Sequence, residues 1–234
     1  MLNWGSTIER CEMFKMVVDV NKLQRKFGWL KLPNFMFYVV VITGVSYFAD
    51  LILRFTSRAI FFSSFLKFDK FLILHGEPWR ILSYVFLCPH MHIFLVFLYL
   101  YLLNFIGNSL ESHWGAFNLT FYYLFGYFLT TCVGFLVGST TIVFLNLSLI
   151  LVFVVIYPDI NLNLFYFINV RANWLGIVCV LLFMAKLIVS LVVFNLGDLC
   201  AEIVALLNFI IFFGVRYFFN LFSKFKQFMN RQRF

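Results

Sequence analysis

Residues 174–194 read WLGIVCVLLFMAKLIVSLVVF, twenty-one positions with a single charge, Lys186. A helix needs about 20 predominantly apolar residues to cross the hydrocarbon core of a bilayer. Four residues later the pattern returns over 199–219, and upstream it recurs at 142–157, 117–137, 90–107 and 34–53. The run at 142–157 is short, and Pro158 and Asp159 stop it. The whole chain agrees with these windows: 234 residues, 63% hydrophobic and 12% charged, with a mean hydropathy of +0.95. Soluble domains carry about 25% charged residues because a folded surface must be wetted. This chain has too few charges to wet a globule of its length, so much of its surface must face lipid. The expected fold class is all-α polytopic: six membrane helices with an interfacial outer loop.

Between the first two spans, residues 54–89 are too polar to cross and too apolar to hang free. Arg54, Arg58, Lys67, Lys70 and Arg80 alternate with Phe61, Phe62, Phe65, Leu66, Phe68 and Phe71, a pattern suited to helices half-sunk at the membrane surface. Residues 12–28 read as an amphipathic helix, with Met13, Met16, Val20, Leu23 and Phe27 on one stripe and Lys15, Asp19, Lys22 and Lys26 opposite. The organisation is then a cytosolic N-terminal segment (1–33), a membrane domain (34–219) and a basic tail (220–234). In the tail region Phe218, Leu221, Phe222, Phe225 and Phe228 share a face opposite Lys224 and Arg231. Basic clusters flank both ends, and an even number of spans puts both termini on one side. The positive-inside rule makes that side cytosolic, in a bacterial cell membrane or, alternatively, the endoplasmic reticulum. The net charge of +8 is assigned to topology and anionic lipid rather than nucleic acid. No secretory signal is expected, since the first strong apolar run starts only near residue 35. Cys11, Cys88, Cys132, Cys179 and Cys200 show neither disulfide nor zinc spacing and read as small buried residues.

Three stretches carry a family resemblance. Gly76-Glu77-Pro78-Trp79-Arg80, followed by Ile81-Leu82-Ser83-Tyr84-Val85-Phe86, is similar to the tryptophan-arginine element in the large outer loop of the rhomboid-like superfamily. Gly107-Asn108-Ser109-Leu110-Glu111-Ser112-His113-Trp114-Gly115 resembles that superfamily's junction of spans two and three. Asn146-Leu147-Ser148-Leu149 stands where active rhomboids carry their Gly-x-Ser-Gly nucleophile motif. In physical terms, Trp79 suits headgroup depth and the Arg80 guanidinium can cap carbonyls that lipid cannot satisfy. Glu111 ends a span, and Gly107 and Gly115 are expected to permit a tight reversal.

The resemblance implies a serine at the head of span four activated by a histidine on span six. Ser148 matches the first position, but His75, His90, His92 and His113 all lie before the third span and 199–219 holds no histidine. The family's His-x-x-x-Asn on span two falls near Leu95 and Tyr99, and the motif glycines are replaced by Asn146 and Leu149. A hydroxyl without a base attacks an amide poorly, and losing one such part in a serine protease costs on the order of a million-fold in turnover. Ser148 is therefore expected to be inactive, its hydroxyl bonded to the preceding turn or to Asn146. Lys186 asks for a partner inside the bilayer. The expected one is Glu202, which shares a face with Asp198, and a Ser148–Lys186 dyad is the sharper alternative. His90 and His92 could hold zinc only with a third ligand, and His113 lies at the opposite end of the span, so no metal and no cofactor are expected. The leading expectation is a non-catalytic relative of derlins and inactive rhomboids that binds or quality-controls transmembrane clients, using Asn146, Ser148 and Asn208 as interhelical polar groups. The alternatives are an active intramembrane protease using Ser148 and a small transporter or lipid-acting protein.

Overall fold

All four prolines, Pro33, Pro78, Pro89 and Pro158, punctuate the long apolar runs rather than interrupt them. Each run can therefore satisfy its backbone internally as a helix. The computed structural model describes residues 32–56, 61–89, 91–157, 160–164 and 168–214. The first long helix, α1 (Phe35–Thr56), is followed by three short ones, α2 (Phe62–Leu66), α3 (Lys70–Leu74) and α4 (Arg80–Ser83). Then come α5 (Ile93–Trp114), α6 (Ala116–Val137), α7 (Val143–Ile156), α8 (Ala172–Val192) and α9 (Leu196–Phe209), the last continuing as a π-helical turn over Ile210–Gly214. Helices α1, α5, α6 and α8 are long and apolar enough to cross a membrane. Helix α7, with 14 residues, is about 21 Å long by helical rise and shorter than the hydrocarbon core.

The expected boundaries shift where helix ends depend on backbone geometry rather than hydropathy. The second run extends to Trp114, because the polar residues Asn108–His113 stay helical until Gly115 (φ 84°) breaks the chain before α6. Gly107 is thus not a reversal residue. It lies inside α5, buried, and a Cβ there would collide with the Met36 side chain of α1. The last run starts earlier, at Leu196, where the Asn195 side chain accepts from the Asp198 N–H and caps α9. The amphipathic stretch at 12–28, residues 215–219 with the basic tail (220–234), and His90 lie outside the described residues.

Helix α7 occupies the centre, packed by α5, α6, α8 and α9, while α1 leans on α5 and on the outer segment. Phe144, Leu145, Leu149, Ile150, Val152 and Phe153 of α7 are all buried. Two small antiparallel ladders depart from a purely helical expectation. β1 (Phe68–Asp69) pairs with β2 (Ser139–Thr140), tying the outer segment to the α6–α7 turn, and β3 (Asn161–Leu164) pairs with β4 (Ile168–Arg171) ahead of α8.

Residues 61–89 fold as short helices with two unlike sides. Leu66, Phe68, Ile73 and Tyr84 are buried, whereas Phe61, Phe65, Phe71, Leu74, Trp79 and Leu82 are exposed. Asp69 caps α3 by accepting from the N–H groups of Phe71 (2.9 Å) and Leu72 (3.3 Å). Among the cysteines, Cys88 and Cys179 are buried as expected, but Cys132 is exposed on α6.

Candidate functional site

Polar side chains inside an apolar bundle cost several kcal/mol unless each finds a partner, so the polar residues of α7 locate the site. Asn146 and Ser148 are both buried, the latter completely. Tyr123 donates to Asn146 Oδ1 at 3.1 Å, and Asn146 Nδ2 donates to the Tyr99 hydroxyl at 2.8 Å. One amide thereby joins α5, α6 and α7. Ser148 donates to the Leu145 carbonyl at 2.7 Å, one turn back. Its single proton is then engaged, so in the 2.9 Å contact between Ser148 Oγ and the Tyr122 hydroxyl it is the tyrosine that donates.

Helix α9 closes this layer. Asn208 of α9 is fully buried, and its Nδ2 donates to the Tyr122 carbonyl at 3.5 Å. Its approach depends on Gly126 of α6, where a Cβ would lie 2.6 Å from that amide nitrogen. Phe212 of the π turn packs edge-on to Tyr122 at 5.1 Å.

Ser148 and Asn146 share this layer, but no base joins them. Among the described residues no imidazole contacts Ser148: His75 and His92 are exposed, and His113 packs edge-on to Tyr157 at the far end of α5. Leu95 is 48% exposed and turned away from the site, whereas Tyr99, one turn on, reaches Asn146. The dyad and the ion pair considered for Lys186 are both absent among the described residues. Lys186 is exposed on α8, Glu202 is 1% exposed on α9, and no ion pair joins them. The two residues stand level across the α8–α9 hairpin, each eight positions from Phe194, and the Glu202 carboxyl feels the lysine's charge without contact.

The remaining motif residues support the scaffold. Arg80 is buried, forms an ion pair with Glu77, and donates Nη1 to the carbonyls of Ser64 (2.6 Å) and Lys67 (3.0 Å). Its guanidinium therefore closes the C-terminal end of α2. Gly76 takes φ 111° in the turn before it, and Trp79 beside it is exposed. Glu111 Oε1 accepts the Asn34 N–H at 2.9 Å, fixing the start of α1 against the end of α5. The Tyr84 hydroxyl donates at 2.8 Å to Thr131 Oγ1, whose own proton goes to the Tyr127 carbonyl, and links the outer segment to α6. Burial raises the Tyr84 phenol well above its ordinary pKa and pushes the Cys88 thiol up to about 12.

Sequence reasoning reached Asn146, Ser148 and Asn208 but missed Tyr122 and Tyr123. The available signal was their depth. Tyrosines favour the membrane interface, so a pair six residues inside α6 needs acceptors within the bundle. No family model, no curated protein and no solved structure matches the chain. The class that fold and site together define is an α-helical integral membrane protein.

Proposed function

We propose that this chain is a non-catalytic, six-span protein of rhomboid-like build that binds or helps quality-control other membrane proteins. Both termini lie in the cytosol, and the outer segment rests in the opposite interface. One observation carries the reading: the hydroxyl at the nucleophile position donates to its own helix and accepts from a phenol. A neutral phenol that is donating cannot withdraw the serine proton, so the arrangement holds α6 to α7 and does not prepare an attack. The order of elements supports the same reading. A folded outer segment with a buried Arg80 follows the first span, a short central helix carries Ser148, and a sixth helix packs beside it. In this orientation the basic residues of 54–80 face outward, against the positive-inside rule, which is accommodated because the segment is interfacial rather than a free loop.

The full-length protein, reconstituted in lipid vesicles with a model transmembrane peptide, should leave the peptide intact, and a serine-reactive probe should not label Ser148. Cutting that disappears in Ser148→Ala would end the non-catalytic reading. Isolation from gently solubilised membranes should return a reproducible single-span protein. A bound lipid or solute in its place would favour a transporter or lipid-acting role.

A further inference from the structure

Of the four helices long enough to cross a membrane, α8 is the least buried. Its packed stripe is Ala172, Gly176, Cys179, Phe183 and Ser190. Immediately beside that stripe runs a second one, Val178, Leu182, Lys186, Val189 and Val193, at steps of four, four, three and four, all of it exposed. Lys186 lies six residues, or about 9 Å of helical rise, from the end of α8 at Val192. A cation at that depth is costly unless a counter-charge or the headgroup layer receives it. Among the described residues no hydrogen bond or ion pair holds its ammonium, and the enclosed Glu202 carboxyl acts on it only at a distance.

We propose that this flank of α8 docks a transmembrane helix of another protein through an Asp or Glu carried at the depth of Lys186. The inference rests on the client-binding reading above and names the chemistry of the client. Apolar contact alone discriminates poorly in lipid, because acyl chains are as apolar as leucine, so a buried polar or charged pair must supply selectivity. Charge complementarity singles out the occupant. The chain's own carboxylate at this level, on Glu202, is enclosed in the bundle, Asp50 is 4% exposed, and Asp198 sits in the first turn of α9. Among its described residues a second copy therefore offers no exposed carboxylate at that depth, and symmetric pairing through the same flank would oppose one Lys186 to another. A foreign helix with one intramembrane acid fits.

The test uses the full chain in phosphatidylcholine nanodiscs, carrying a donor fluorophore and titrated with single-span oligo-leucine peptides bearing an acceptor. The peptides differ at one position, matched in depth to Lys186, that holds Asp, Asn or Leu. The Asp peptide should bind about tenfold tighter than the Leu peptide. Lys186→Met should erase that advantage and Lys186→Arg retain it, while Lys186→Glu should transfer the preference to a Lys peptide. An Asp advantage that survives Lys186→Met, or none in the native protein, overturns the proposal. The second result would also be the signature of a lysine that reaches the headgroups. In either case saturable binding of the Leu peptide, absent with an unrelated six-helix protein, leaves client binding standing. If no peptide binds saturably, both readings fall. Should Lys186→Met fail to fold, the Lys186→Arg protein and the Asp-against-Asn comparison decide the matter.

Discussion

Helices α7 and α8 are neighbours in sequence, are comparably apolar, and touch along one face, yet they are used in opposite ways. Helix α7 is short, central and enclosed, and its two polar residues are each held by tyrosines from surrounding helices. Helix α8 is long and peripheral, and its single charge points away from the bundle. The difference shows that in such a chain hydrophobicity assigns residues to the membrane but not to the core. What separates core from lipid face is the ability of a polar side chain to find a partner. Asn146 and Ser148 are neutral and can be satisfied by hydroxyls and carbonyls, so they mark the inside. A lysine needs a full counter-charge, and the interior Glu202 carboxyl feels its charge without forming an ion pair with it.

The comparison predicts its own strongest test. Asn146→Leu withdraws the acceptor of Tyr123 and the donor to Tyr99 at once, and each buried group left unsatisfied costs about 1–3 kcal/mol. Unfolding in mild detergent should show a loss of about 3 kcal/mol. Combining Asn146→Leu with Tyr123→Phe should cost at least about 1 kcal/mol less than the two separately, because the phenol no longer needs its acceptor. Additivity would mean that the 3.1 Å bond contributes nothing and that α7 is held by packing alone. Ser148→Ala is the next step down. It removes the oxygen that accepts from Tyr122 but leaves the α7 backbone intact, so about 1 kcal/mol should be lost, measured in the same assay. A Tyr122→Phe background should reduce that loss.

Hydropathy made the four long apolar helices legible because crossing a bilayer is a demand on length and composition, both of which are written locally. The ends were less legible. The stretch from Asn108 to His113 is polar yet helical, and only the positive φ of Gly115 stops it. Residues 210–214 wind as a π turn, which no hydropathy window reports. The site was half legible: the resemblance pointed to Ser148 and Asn146, but their partners Tyr99, Tyr122 and Tyr123 come from other helices. Which face of α8 turns inward could not be read either. An amphipathic stripe reveals burial only when the other side meets water, and lipid erases that contrast. The two-residue ladder of Phe68–Asp69 with Ser139–Thr140 joins segments seventy residues apart through tertiary approach alone.

Two weaker perturbations address the peripheral helix. Gly176 is where α8 meets α7, and a Cβ there would stand 2.7 Å from Cγ1 of Val154. Gly176→Ala should therefore ask one valine methyl to move, costing about 1 kcal/mol or less, since overpacking penalties fall when the neighbour is a side chain rather than backbone. A loss above about 3 kcal/mol would show that α8 is as firmly built in as α7.

The smallest effect belongs to Lys186→Leu. An exposed charge that forms no ion pair and acts on Glu202 only at a distance contributes little when removed, so the unfolding free energy in detergent should stay within about 0.5 kcal/mol of the parent. Membrane insertion of α8 should become easier, by up to about 2.5–3.5 kcal/mol on insertion scales if the residue reaches the helix centre unaided. Stability unchanged with insertion improved is the signature of a residue kept for something outside the fold. A clear loss of stability would mean that the lysine is drawn to Glu202 in the working protein, and the contrast between the two helices would then reduce to one of exposure alone.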